Sequence, residues 1–86
     1  MEATNHLRVD QIMIDVRKLI SDIIEVPEEQ ITEDAPFATL GVDSLMALEI
    51  VASVEKKYRI HIPEEQLQQV KSFGDTIALV TAHLSR

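Results

Sequence analysis

The chain of 86 residues contains no cysteine and no tryptophan. The missing cysteine excludes a disulfide framework, a thiol nucleophile and a thiolate metal site. Three aromatic residues, Phe37, Tyr58 and Phe73, are too few for a base-stacking or sugar-binding surface. Basic residues are scarce, 8 Lys and Arg against 15 Asp and Glu, for a net charge of -7. That charge repels phosphate backbones and excludes nucleic acid as the partner, while it favours partners with basic docking surfaces. No apolar run approaches the ~20 residues that span a bilayer. The first residues carry no basic segment followed by an apolar stretch, so they do not read as a signal peptide. The expectation is a soluble, cytoplasmic monomer without membrane contact. Beginning at Met1 and ending soon after its last helical pattern, the chain reads as a free-standing single domain over residues 1–86.

What the chain does have is helical periodicity. Val9, Ile12, Val16, Leu19, Ile20 and Ile23 recur at spacings of three and four and make one apolar stripe. They predict a first helix over about residues 6–25, with Thr4 or Asn5 as its cap and Pro27 as its end. Residues 27–42 read as a long loop anchored by Ile31, Phe37 and Leu40. A second helix is predicted over 44–58, with Asp43 placed to cap it through its carboxylate. Leu45, Leu48, Ile50, Val51 and Val54 give this helix more apolar surface than one narrow stripe needs, so part of it is exposed. Ile60 and Ile62 read as a connector tucked inward. A short third helix is predicted over 64–70, with Pro63 at its first-turn position. Phe73, Ile77, Val80 and Leu84 predict a last helix over 73–84, and Ser72 with Asp75 resembles a capping box. The fold class is therefore all-α: a small bundle of three main helices and a short one.

The informative segment is Leu40-Gly41-Val42-Asp43-Ser44-Leu45-Met46-Ala47-Leu48-Glu49. It puts a serine in the first turn of a helix, straight after a loop. Free amide hydrogens and a partial positive charge at a helix start stabilise a phosphate attached there. Ser44 is not a nucleophile of the hydrolase kind. Its surroundings are not G-x-S-x-G, and the available bases, His6, His61 and His83, sit in no recognisable motif. Glu28, Glu29, Glu33 and Asp34 have the wrong spacing for a calcium loop and read as solvated surface. No metal site and no catalytic residue are expected, and the chain is not read as an enzyme.

Gly41-x-Asp43-Ser44-Leu45, followed by Met46-Ala47-Leu48-Glu49, resembles the attachment motif of the acyl carrier protein family, of the polyketide or fatty-acid type. The resemblance runs from about Val9 to Leu84 and includes the Pro27 loop and the Ile62-Pro63-Glu64-Glu65 turn. It implies that Ser44 carries a covalent 4′-phosphopantetheine arm taken from coenzyme A by a separate transferase. Asp43 would present that site, and any magnesium would belong to the transferase reaction. The second helix would be the recognition helix, with Met46, Leu48, Glu49, Ala52 and Glu55 meeting acyl-loading and acyl-processing enzymes. Acyl intermediates would ride on the arm for fatty-acid, polyketide or related specialised synthesis. Bacterial fatty-acid carriers usually hold an acid where Met46 stands and more acid toward the far end, where Lys56 and Lys57 stand here. These departures lean toward a polyketide-like pathway. Peptidyl and aminoacyl carriers, which often show a double glycine that is missing before Ser44, and the small D-alanyl carriers are the nearest alternatives; the run Asp43-Ser44-Leu45-Met46 favours an acyl carrier over both. An unmodified acidic interaction module explains the charge but not the serine. On position alone, Ser44 is a common helix-start residue, Asp43 a plain cap, Leu48 partly core and Glu49 a solvated charge.

Overall fold

The computed structural model describes residues 8–85. Helix α1 spans Val9–Ile24, α2 Ser44–Tyr58, α3 Glu64–Leu67 and α4 Phe73–Leu84. Among the described residues there is no strand, only an isolated bridge between Pro36 and Ser72. The first helix is shorter than its apolar pattern predicts. Its proposed start at His6 and its proposed caps, Thr4 and Asn5, lie outside the described residues; within them Arg8 precedes the helix without a side-chain cap. The helix ends at Ile24 because Glu25 turns left-handed, φ 59°, while its N–H donates to the Ser21 carbonyl at 2.8 Å. The chain then leaves with the Ser21 hydroxyl donating to the Val26 carbonyl at 2.7 Å.

The periodic residues meet in one core. Ile12, Val16 and Ile20 of α1 pack with Ile50 and Val54 of α2 and with Phe73 and Val80 of α4, all buried. Val9, at the helix end, stays 40% exposed and so marks the limit of the α1 stripe. The segment 27–42 is more ordered than a plain loop. It contains 3-10 turns at Glu28–Gln30 and Phe37–Leu40. Ile31 and Phe37 are buried as expected, and Leu40 packs partly against the core.

Three further ties hold this segment. Arg17 of α1 donates from Nε to the Ile31 carbonyl at 3.0 Å, and its guanidinium lies 4.7 Å over the Phe73 ring. The Phe37 N–H donates to the Lys71 carbonyl at 2.8 Å. The Gly74 N–H donates to the Glu33 carbonyl at 3.2 Å, and a Cβ at Gly74 would stand 2.9 Å from that oxygen. Glycine is therefore needed there for the close approach of loop and helix.

The third helix is shorter than predicted, four residues ending at Leu67. The chain continues through tighter turns, with the Val70 N–H donating to the Leu67 carbonyl at 3.1 Å, and these bring Val70 into the core. At α4 the Ser72 hydroxyl accepts from the Asp75 N–H at 3.1 Å. The return bond differs from a capping box: Asp75 accepts from Lys71 N–H at 3.0 Å, one residue earlier. The connector before α3 behaves as expected, with Ile62 buried and Ile60 half-buried.

Candidate functional site

The 3-10 turn Phe37–Leu40 closes with Gly41 in the left-handed region, φ 82°, and the Val42 N–H returns to the Phe37 carbonyl at 3.0 Å. Asp43 then runs extended, and its Oδ1 accepts the Met46 N–H at 2.9 Å. This is the cap read from the sequence. Ser44 follows as the first residue of α2 and is exposed. The Asp43 carboxylate takes the third amide of the turn, and the amides of Ser44 and Leu45 have no partner within the helix. Loss of the cap has a measurable cost: Asp43→Ala should lower stability by about 1 kcal/mol. In a domain of this size that lowers the melting temperature by about 4–8 °C, read by circular dichroism, and a melt unchanged from wild type would refute the cap.

The five serines differ sharply in what their hydroxyls do. Ser21 donates to the Val26 carbonyl, Ser72 accepts from the Asp75 N–H, and Ser85 donates to the Ala82 carbonyl. Ser53 sits half-buried in the middle of α2. Ser44 alone combines exposure, a helix start and a hydroxyl with no bonded partner among the described residues. Neither described histidine serves it as a base: His61 Nδ1 lies 3.5 Å from Glu55, and His83 Nε2 lies 3.0 Å from the Gln66 amide oxygen.

Two grooves open beside Ser44. One, about 300 Å³, is lined by Pro36, Phe37, Ala38, Val42, Asp43, Ala47, Val70 and Lys71. The other, about 250 Å³ and largely apolar, follows the seam between α2 and the α3 segment along Ala47, Leu48, Val51, Leu67, Gln68 and Val70. It shares Leu48, Val51 and Leu67 with a further depression that reaches Glu55, His61 and Glu64. An apolar track thus leads from the serine down one side of α2.

The other site residues read from the sequence are distributed unevenly. Leu48 (51% exposed), Glu49 and Ala52 lie on the open face of α2. Met46 does not: it is half-buried against the core, so the expected order of Met46 outside and Leu48 partly inside is reversed. Glu55 has a structural task, since its carboxylate accepts the Ile62 N–H at 2.7 Å and fastens the connector to α2. Leu45, at 77% the most exposed large apolar side chain among the described residues, stands in the motif but was not read as a partner-binding residue. The helical wheel reveals it: with Ile50 and Val54 inward, Leu45 falls beside Glu49 and Ala52 on the outer side.

Tyr58, at the other end of α2, has a buried hydroxyl without a bonded partner. Burial raises its pKa above 10.0, and the nearby Asp15 charge adds to the rise. It stands about 20 Å along the helix from Ser44 and takes no part in the site. Among the described residues no cluster of three or more His, Cys, Asp or Glu is arranged to hold a metal ion. No helix there is long and apolar enough to cross a membrane.

Comparison with known proteins agrees with this geometry. The family described as a phosphopantetheine attachment site matches residues 15–80. Polyketide-8 synthase acyl carrier protein 2 of Streptomyces avermitilis is 39% identical over 70 residues, covering 80% of each chain. The solved structure of the HMG-ACPI domain of the CurA module from Lyngbya majuscula aligns with a TM-score of 0.80 and 19% identity. That alignment covers 99% of this chain and 86% of that one, and it shows a shared fold.

Proposed function

The chain belongs to the phosphopantetheine-attachment family, and from that premise we propose that Ser44 Oγ is the atom that bears the arm. Proteins of this family are carriers rather than enzymes: a phosphopantetheinyl transferase attaches the arm, and this chain then tethers acyl intermediates on it for acyl-processing enzymes to act upon. When attached, 4′-phosphopantetheine supplies the thiol that a chain without cysteine lacks, and acyl groups travel on it as thioesters. The carrying observation is the environment of Ser44: an exposed hydroxyl, unbonded, at the start of a capped helix of 15 residues. A phosphodiester there meets the amides of the first turn and the positive end of the helix dipole.

The remaining residues take their roles from position. Asp43 fixes the turn that presents Ser44. Leu45, Leu48, Glu49 and Ala52 form the face that partners touch. The apolar seam from Ala47 to Leu67 gives a tethered acyl group a sheltered place beside its own helix. Tethering replaces diffusion by a high effective concentration at each partner site. The likeness to a polyketide-8 synthase carrier supports a polyketide pathway, and a monomer in the cytoplasm is part of the same reading.

The test is incubation with coenzyme A, magnesium and a broad-specificity phosphopantetheinyl transferase, followed by intact-mass spectrometry. The mass of one arm should be added. A folded protein that gains nothing with two unrelated transferases would overturn the proposal.

A further inference from the structure

Helix α2 presents one open stripe whose two ends are of opposite charge. At about 100° per residue, Leu45, Leu48, Glu49, Ala52 and Lys56 fall within an arc of about 100°. All five are exposed. The other charges of the helix are occupied elsewhere. Glu55 holds the Ile62 N–H and faces His61. Lys57 lies 5.7 Å from the Tyr58 ring and lines the groove between α1 and α2. Glu49 and Lys56 are therefore the charges that the stripe offers outward, about 10 Å apart along the axis. Arg59, exposed just beyond the helix, reinforces the positive end.

The net charge of -7 suggests a partner that is basic throughout, but the acid lies off this stripe. Glu25, Glu28, Glu29, Glu33 and Asp34 follow α1, and Glu64 and Glu65 open α3. Within α2 the two acidic residues, Glu49 and Glu55, are balanced by Lys56 and Lys57.

We propose that α2 docks on acyl-processing enzymes through a surface of mixed charge. That surface has an apolar socket for Leu45 and Leu48, a basic side chain that meets Glu49, and an acidic side chain about 10 Å further on that meets Lys56. The inference rests on the reading of Ser44 as the attachment point, which places the α2 face at each partner's doorway. A uniformly basic docking surface would set like charges against Lys56, so the stripe both selects and rejects partners. The occupant is an enzyme met in passing rather than a second copy. Five side chains on one helix fall well short of the ~800 Å² per partner of a stable complex.

The test uses a polyketide ketosynthase whose carrier-docking surface is basic throughout, and variants in which each basic docking residue in turn is Glu. The loaded wild-type carrier is compared with Lys56→Glu and Glu49→Lys, after intact mass has verified the arm on each. One ketosynthase variant should accept the wild type with a KM about threefold to tenfold below that of its parent, with kcat little changed. Lys56→Glu should reverse that preference, and Glu49→Lys should raise KM on the parent and on every variant except the one whose new Glu replaces the partner of Glu49. Equal KM values for the loaded wild type and Lys56→Glu across the whole set would overturn the inference while leaving the carrier reading intact. Failure of the wild type to load would instead overturn the carrier reading. A dimer in sedimentation equilibrium that Lys56→Glu dissociates would replace the enzyme with a second copy, and the proposal would fall.

Discussion

Phe73→Ala should remove most of the protein's stability. Phe73 is 0% exposed at the first position of α4, in the centre of the core. Truncation of a buried phenylalanine costs about 3–5 kcal/mol through lost burial and the cavity left behind. The Arg17 guanidinium, 4.7 Å over the ring, loses its partner as well, worth about 0.5–2 kcal/mol. A domain of this size holds about 5–10 kcal/mol in total, so most of it disappears. The effect reaches the functional site by a short path. Arg17 also holds the Ile31 carbonyl, and the residues flanking Phe73 hold the loop that delivers Ser44: Lys71 binds Phe37 and Gly74 binds Glu33. A thermal melt by circular dichroism should fall by about 15 °C or more. Phe73→Leu, which keeps most of the volume, should fall far less. A fall of only a few degrees for Phe73→Ala would show that the core closes without it.

Ser44→Ala should abolish arm loading completely while leaving the fold intact. The hydroxyl is exposed and bonds to no described side chain, and the cap belongs to Asp43, so stability should change by no more than about 0.5 kcal/mol. The pair of outcomes is what makes the variant informative. An intact-mass spectrum without the arm, together with a wild-type melt, assigns the loss to chemistry rather than unfolding. An arm still present would move the attachment to another hydroxyl, although the other serines are bonded or sit within a helix.

The sequence carried the parts of this structure that depend on local rules. The second and fourth helices ran where their periodicity put them, and Asp43 and Ser72 capped them because a short polar side chain at a helix start has few better bonds to make. Element ends that depend on tertiary packing were less legible. Nothing local announces that Glu25 turns left-handed or that the third helix yields at Leu67 so that Val70 enters the core. Gly74 is a contact point for the Glu33 carbonyl some forty residues earlier in the chain, which no local pattern reports. Arg17, off the apolar stripe of α1, is the clasp between α1, the loop and α4, a role that spacing does not announce. At the site, the motif pointed to Ser44 and Asp43, but it does not report which side of α2 faces out. Met46 and Leu48 were interchanged in that respect, Leu45 was passed over, and the bond from Glu55 to the connector depends on a chain reversal that spacing does not encode.

The central claim is that the arm is borne by Ser44, and localisation tests it most directly. The loaded protein is cut with trypsin, and the fragment of residues 19–56 is sequenced by tandem mass spectrometry; it contains Ser21, Ser44 and Ser53 together. The account predicts phosphopantetheine on Ser44, with Ser21 and Ser53 bare. An arm on either of those, or on any other residue of the chain, would contradict it.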